Sequence, residues 1–149
     1  MTTPATDREA DELFLSSQLP PEKRAALKKE LALRVLARRS LLQYTKRFHP
    51  SYDAGWVHED ICRRLEKFSR DVAEKKSPRL MLLVPPRHGK SELASIRFPA
   101  WHLGHHPDHE IINCGYNTDL PMKFSRKVRE QLRDKEIGRA SCRERVSSP

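Results

Sequence analysis

Residues 80–95 read LMLLVPPRHGKSELAS, and this stretch limits how the chain can fold more tightly than any other. The run at 80–84 is wholly apolar and lacks the polar alternation of a half-exposed strand. It predicts a short strand covered on both faces. Pro85 and Pro86 end the run abruptly, because proline has no amide hydrogen for a ladder and its ring fixes φ. From Ser91 onward the residues favour helix. A buried strand that turns into a helix through Gly89-Lys90-Ser91 is the layout of a phosphate-binding loop.

The chemistry suits those residue types. A tight turn at a helix N-terminus points unpaired amide hydrogens inward and adds the favourable end of the helix dipole. Gly89 removes a side chain where the backbone must approach phosphate closely. Lys90 is placed to reach the β- and γ-phosphates, and the Ser91 hydroxyl to ligate Mg²⁺. Arg87, inside the loop, reads either as a cation that stabilises charge on the transferring phosphoryl group or as a plain phosphate clamp. One departure stands out: Val84 occupies the position of the first glycine in the usual G-x-x-x-x-G-K-[ST] pattern.

Around this loop the chain reads as helices with one more strand. Pro20-Pro21 precedes a helical segment at 22–48 in which Leu27, Leu31, Val35 and Leu42 share a face. An aromatic loop with Phe48, Tyr52 and Trp56 leads into a second helix at 57–75, lined by Ile61, Leu65, Phe68 and Val72. A third helix at 89–103 contains Pro99, which predicts a kink, and Gly104 is placed as its C-cap. Residues 111–116 form a second apolar run, and Thr118 is placed to cap a last helix at 119–135. Strands alternating with helices predict an α/β P-loop NTPase fold: an incomplete parallel sheet flanked by helices, with an N-terminal helical lead-in. The predicted organisation is a flexible N-terminus at 1–19, a helical lead-in at 20–78, the first part of the ATPase core at 79–135, and a tail at 136–149.

The tail stands apart. Residues 136–146 resemble the translation of a sequencing adapter, have no apolar periodicity and follow a helical segment without a stop signal. On this reading they are an artefactual, disordered end to a longer protein's front part. The tail holds three arginines and two glutamates, so +8 of the chain's net +9 lies outside it. That charge, with a pI near 9.8, suits a polyanionic partner such as nucleic acid, although charge alone leaves a merely soluble basic protein open. No apolar run approaches membrane-span length, and three scattered cysteines form neither a disulfide framework nor a metal spacing. A reducing cytoplasm is the expectation.

The residues SPRLMLLVPPRHGKSELASIRFPAWHLGHHPD, IINCGYNTDL and FSRKVR, with the upstream ARRSLLQYTKRFHPSYDAGWVHEDICRRLEKF, together resemble the N-terminal ATPase domain of tailed-bacteriophage terminase large subunits. The likeness spans about residues 35–133. These enzymes hydrolyse ATP to thread viral DNA into a preformed capsid, and their divergent Walker A loop commonly lacks the first glycine. The resemblance implies that Pro86, Arg87, His88, Gly89, Lys90, Ser91 and Glu92 contact ATP with its Mg²⁺, and that Lys90 and Arg87 are catalytic. It implies that the segment around Trp56, His58 and Glu59 is the adenine-side element. It also implies double-stranded DNA, a portal protein, a small terminase subunit and further copies of the chain as partners, in the cytoplasm of a bacterial host carrying a phage or prophage. The family's acidic strand and nuclease domain do not occur in the sequence, which predicts weak nucleotide binding without motor-rate turnover or DNA cleavage.

Two other readings stay open: another P-loop enzyme such as a helicase or small-molecule kinase, and a non-catalytic basic DNA-binding remnant. Tyr116 and Asn117, at the end of the second apolar run, are lesser site candidates. His102, His105, His106 and His109 are not assigned to a metal, since they fall at a helix end and in a loop with no cysteine partner. Cys62 and Cys114 are expected to pack as small apolar side chains.

Overall fold

The computed structural model describes residues 20–133, so the expectations for the N-terminus at 1–19 and for the tail at 136–149 lie outside the described residues. The chain divides into two compact units, Met1–Val35 and Leu36–Pro149. Helix α1 (Pro21–Arg39) begins in the first unit, with Glu22 in its first turn, where the helix dipole favours an acid. An Arg34–Glu30 ion pair at 3.0 Å staples its exposed surface. Leu27, Leu31 and Val35, four residues apart and on one face as the spacing predicts, remain open to solvent.

The second unit holds α2 (Leu41–Phe48), α3 (Trp56–Ala73), a single turn α4 (Lys90–Glu92) that continues into a π-helical turn (Leu93–Arg97), α5 (Phe98–His105) and α6 (Asp119–Arg133). Its core gathers Leu41 and Tyr44 from α2, Ile61, Cys62 and Leu65 from α3, and Leu93, Ala100 and Trp101 from the helix after the glycine turn. Full burial of each large member contributes about 1.5–3 kcal/mol. The helix expected at 22–48 breaks at Ser40, whose backbone is extended (φ −135°, ψ 126°). The break is stabilised from outside: Glu66 Oε1 of α3 accepts the Leu41 amide at 2.7 Å. Trp101 Nε1 donates to the Ala37 and Arg38 carbonyls at 3.2 and 3.1 Å, satisfying acceptors that the end of α1 leaves over.

Pro99, expected to kink the helix, instead follows a π-helical turn. It has no amide hydrogen for the residue 95 carbonyl, and its ring crowds that position. The helix responds by widening immediately upstream, where the Phe98 amide bonds the Leu93 carbonyl, five residues back. Gly104 is not a cap; α5 runs through it to His105 and closes with the His106 amide on the His102 carbonyl at 2.8 Å.

The parallel-sheet α/β fold is overturned. Among the described residues there is no strand, and the elements are helical. Residues 80–84 are not covered on both faces: Leu82 and Val84 pack on the helical core, whereas Met81 and Leu83 are 80% and 87% exposed. Residues 111–116 are exposed throughout. A strand exists only where a neighbour supplies ladder bonds, and neither apolar run has one here. Strand-forming composition in two short segments is therefore not enough to make a sheet.

Candidate phosphate loop and its supports

The glycine turn keeps its local form without a sheet. Arg87 and Gly89 both have positive φ, 65° and 70°, so two of three consecutive residues are left-handed. Arg87, which is no glycine, sits in a left-handed conformation that disfavours most side chains. The His88 ring donates from Nδ1 to the Pro86 carbonyl at 2.9 Å, tying the turn to its own start. The first helical bond runs from the Leu93 amide to the Gly89 carbonyl at 3.0 Å, so the amides of residues 90–92 precede the first helical donor. Lys90 folds back over the turn, its ammonium 3.5 Å from the Val84 carbonyl. Pro86, Arg87, His88 and Ser91 are exposed, and Gly89 and Lys90 half-buried.

Glu92 points elsewhere. Its Oε1 pairs with Arg97 Nη2 at 2.6 Å, and the Arg97 guanidinium also lies 5.3 Å over the Phe48 ring. Arg97 is 8% exposed, and its buried Nε has no partner. These three residues, with Lys127, Glu130 and Gln131 of α6, line an open cavity of about 330 Å³.

Of the expected adenine-side residues, the structure brings one to the loop. His58 Nδ1 accepts the Gly55 amide at 3.1 Å at the start of α3, and a β-carbon built on Gly89 would lie 3.4 Å from His58 Nε2. Trp56 is 80% exposed at the first position of α3. Tyr52, legible in the sequence only as a member of the aromatic loop, belongs to the same contact: its Oη would lie 3.1 Å from that β-carbon. The hydroxyl is buried without a partner, and burial, followed by the nearby Cys62 and Glu92, pushes its pKa up to about 12. A signal for Tyr52 existed in the density of aromatics and histidines around Pro50 and Gly55, but its target was not readable.

Tyr116 is 91% exposed. Asn117 serves the fold, since its Oδ1 accepts the Leu120 amide at 3.2 Å, a cap where Thr118 was expected to act. Cys62 is buried as anticipated, and burial, with Glu66 and Glu59, pushes its thiol up to about 12, away from reactivity. Cys114, expected to pack, is exposed. The four histidines do meet. His102 Nδ1 lies 2.7 Å from Ser69 Oγ, its Nε2 lies 3.0 Å from His109 Nδ1, and His106 stacks on His109 with ring centroids 4.9 Å apart. No group of three or more His, Cys, Asp or Glu among the described residues could hold a metal ion. No helix among them is long and apolar enough to cross a membrane.

Compared with known proteins, the chain matches no family model, no curated protein and no solved structure.

Proposed function

We propose that the glycine turn binds the polyphosphate of ATP, and that the chain is the N-terminal part of a viral DNA-packaging motor subunit of the terminase type. One observation carries the first half: Lys90 departs from a left-handed glycine at a helix start and turns its ammonium back over the loop. A local turn of this kind needs a positive-φ residue, leading amides and a cation, and all three are in place without a sheet. The residues fit ATP on that ground. Lys90 and the amides of 90–92 would hold the phosphates, and Ser91 would be the protein ligand of the Mg²⁺ that arrives with the nucleotide.

The resemblance of residues 35–133 to terminase ATPase domains supports the second half, together with the basic face of α6. Lys123, Arg126, Lys127, Arg129 and Arg133 are all exposed along that helix, which suits a double-stranded DNA backbone. A portal protein, a small terminase subunit and other copies of the chain complete the assembly in this reading, within the host cytoplasm.

The test is titration of the chain with a fluorescent ATP analogue in Mg²⁺ buffer, beside Lys90→Ala. Binding that the substitution weakens by about tenfold or more supports the loop, as expected for loss of a charge-assisted contact. Equal affinity in the two proteins sinks it.

A further inference from the structure

The place that a side chain at residue 89 would fill is occupied by two polar groups from outside the loop. A β-carbon on Gly89 would stand 3.1 Å from Tyr52 Oη and 3.4 Å from His58 Nε2, both closer than ordinary contact or at its limit. The two rings meet edge to face, with centroids 5.5 Å apart, so each fixes the other's direction. The Gly55 amide donates to His58 Nδ1, which leaves Nε2 as the ring's N–H in the neutral imidazole. Two donors, a hydroxyl and an N–H, therefore converge beneath the residue from which Lys90 leaves.

The Tyr52 hydroxyl is buried and has no hydrogen-bond partner. A buried hydroxyl left alone destabilises the fold that contains it, and a phenylalanine would fill the same space without that loss. Nothing in the packing of the ring requires the oxygen: Tyr52 sits against the core by its apolar body. Its backbone is already anchored through the Tyr52 amide on the His49 carbonyl at 2.9 Å.

We propose that Tyr52 and His58 are positioning residues for the phosphate loop. Their Oη and Nε2 groups brace Gly89 in its left-handed turn, and the Tyr52 hydroxyl gains its partner when polyphosphate draws the loop into its binding conformation. This rests on the phosphate-loop reading above. The roles differ from an adenine contact, since both groups face the glycine, whereas a base would stack on an exposed ring such as Trp56.

Inorganic tripolyphosphate with Mg²⁺ is the probe, because it has phosphates and no base. Affinity is measured for the full 149-residue chain, for Tyr52→Phe, for His58→Asn and for Lys90→Ala, and a thermal melt is recorded for each. Asparagine at 58 still offers an oxygen to the Gly55 amide but falls short of Gly89. The expected result is affinity lower by about tenfold in Tyr52→Phe and several-fold lower in His58→Asn, as for loss of hydrogen bonds that form only with ligand. The Tyr52→Phe melting temperature should be equal to that of the wild type or higher. Affinity within about twofold of wild type in both variants, alongside a clear loss in Lys90→Ala, overturns the positioning role and leaves the loop reading standing. A lowered melting temperature in Tyr52→Phe with unchanged affinity overturns it too, by showing a structural hydroxyl. A wild-type chain that binds no tripolyphosphate overturns the loop reading, and this inference with it.

Discussion

Glu92 Oε1 lies 2.6 Å from Arg97 Nη2, joining residues five apart along one continuous helix. In a regular α-helix such residues lie about 140° apart around the axis and do not meet. The π-helical turn Leu93–Arg97 brings them onto one side, and Pro99 is the reason for that turn. A proline that reads in sequence as a helix fault thus creates the pairing that neutralises a buried guanidinium.

Removal of the carboxylate should be costly. Arg97 is 8% exposed and already has one unpartnered nitrogen, so Glu92→Ala leaves an uncompensated buried charge. The expected loss is about 3 kcal/mol, read from urea unfolding at neutral pH. Glu92→Ala with Arg97→Met removes both charges and should recover much of that loss, because the long apolar side chain keeps the contact with Phe48. A single substitution that leaves the unfolding midpoint unchanged would show that the pair contributes nothing.

Gly89→Ala combines two penalties. The backbone has φ 70°, and the new β-carbon would approach Tyr52 Oη to 3.1 Å. A left-handed conformation costs a non-glycine residue about 1–2 kcal/mol, before any displacement of the tyrosine. The thermal midpoint should fall by several degrees, and polyphosphate binding should be lost with it. Combining Gly89→Ala with Tyr52→Phe, which removes the contacting oxygen and keeps the ring on the core, should restore part of the stability lost to the contact and none of that lost to φ.

The helices were legible because each carries its own evidence. Ile61 and Leu65 of α3 are buried, and Phe68 and Val72 half-buried, as their spacing requires. The glycine turn was legible for the same reason: Gly89 and the helix start are local. What failed depended on partners far away in sequence. Residues 80–84 are apolar enough for a strand, but a strand is a relation between segments, and Met81 and Leu83 face solvent. The break at Ser40 was hidden because its cap, Glu66, lies well beyond it in α3, 25 residues from the Leu41 amide it accepts. Tyr52 was visible as an aromatic and invisible as a neighbour of Gly89, and the contact of His102 with Ser69 likewise crosses from α5 to α3.

The basic side of α6 gives a salt-dependent prediction. Lys123, Arg126 and Lys127 are exposed on the helix, whereas Val128 reaches the core. Changing the three to glutamine should weaken binding to duplex DNA uniformly across sequences. It should also flatten the slope of log affinity against log salt by up to about 2–3, roughly one for each lost phosphate contact. Filter binding between low and moderate salt checks this, and an unchanged slope, or a wild-type chain that retains no duplex, counts against the proposed DNA contact.

Acid should loosen the chain through its histidines. Burial is the largest cause that pushes His102 down to about 4, followed by the neighbouring His106, His109 and His105; His106 is lowered by burial and by His109 and His105. His102 has hydrogen bonds on both ring nitrogens, to Ser69 and His109, and the Ser69 hydroxyl can donate or accept to match either neutral tautomer. The folded state therefore holds these rings neutral, whereas the unfolded chain protonates them near the ordinary value of 6.5. When the folded pKa lies below the unfolded one, stability is complete above about pH 6.5 and falls as pH drops toward about 4. Full titration of His102 would remove about 3 kcal/mol, measured as the fall in urea midpoint between neutral and acid pH. Carboxylates that titrate below pH 5 add their own slope, so the decisive comparison is His102→Gln, which should flatten the profile between about pH 6.5 and 5. A wild-type profile that is flat across that interval would mean the ring is not held neutral by the fold.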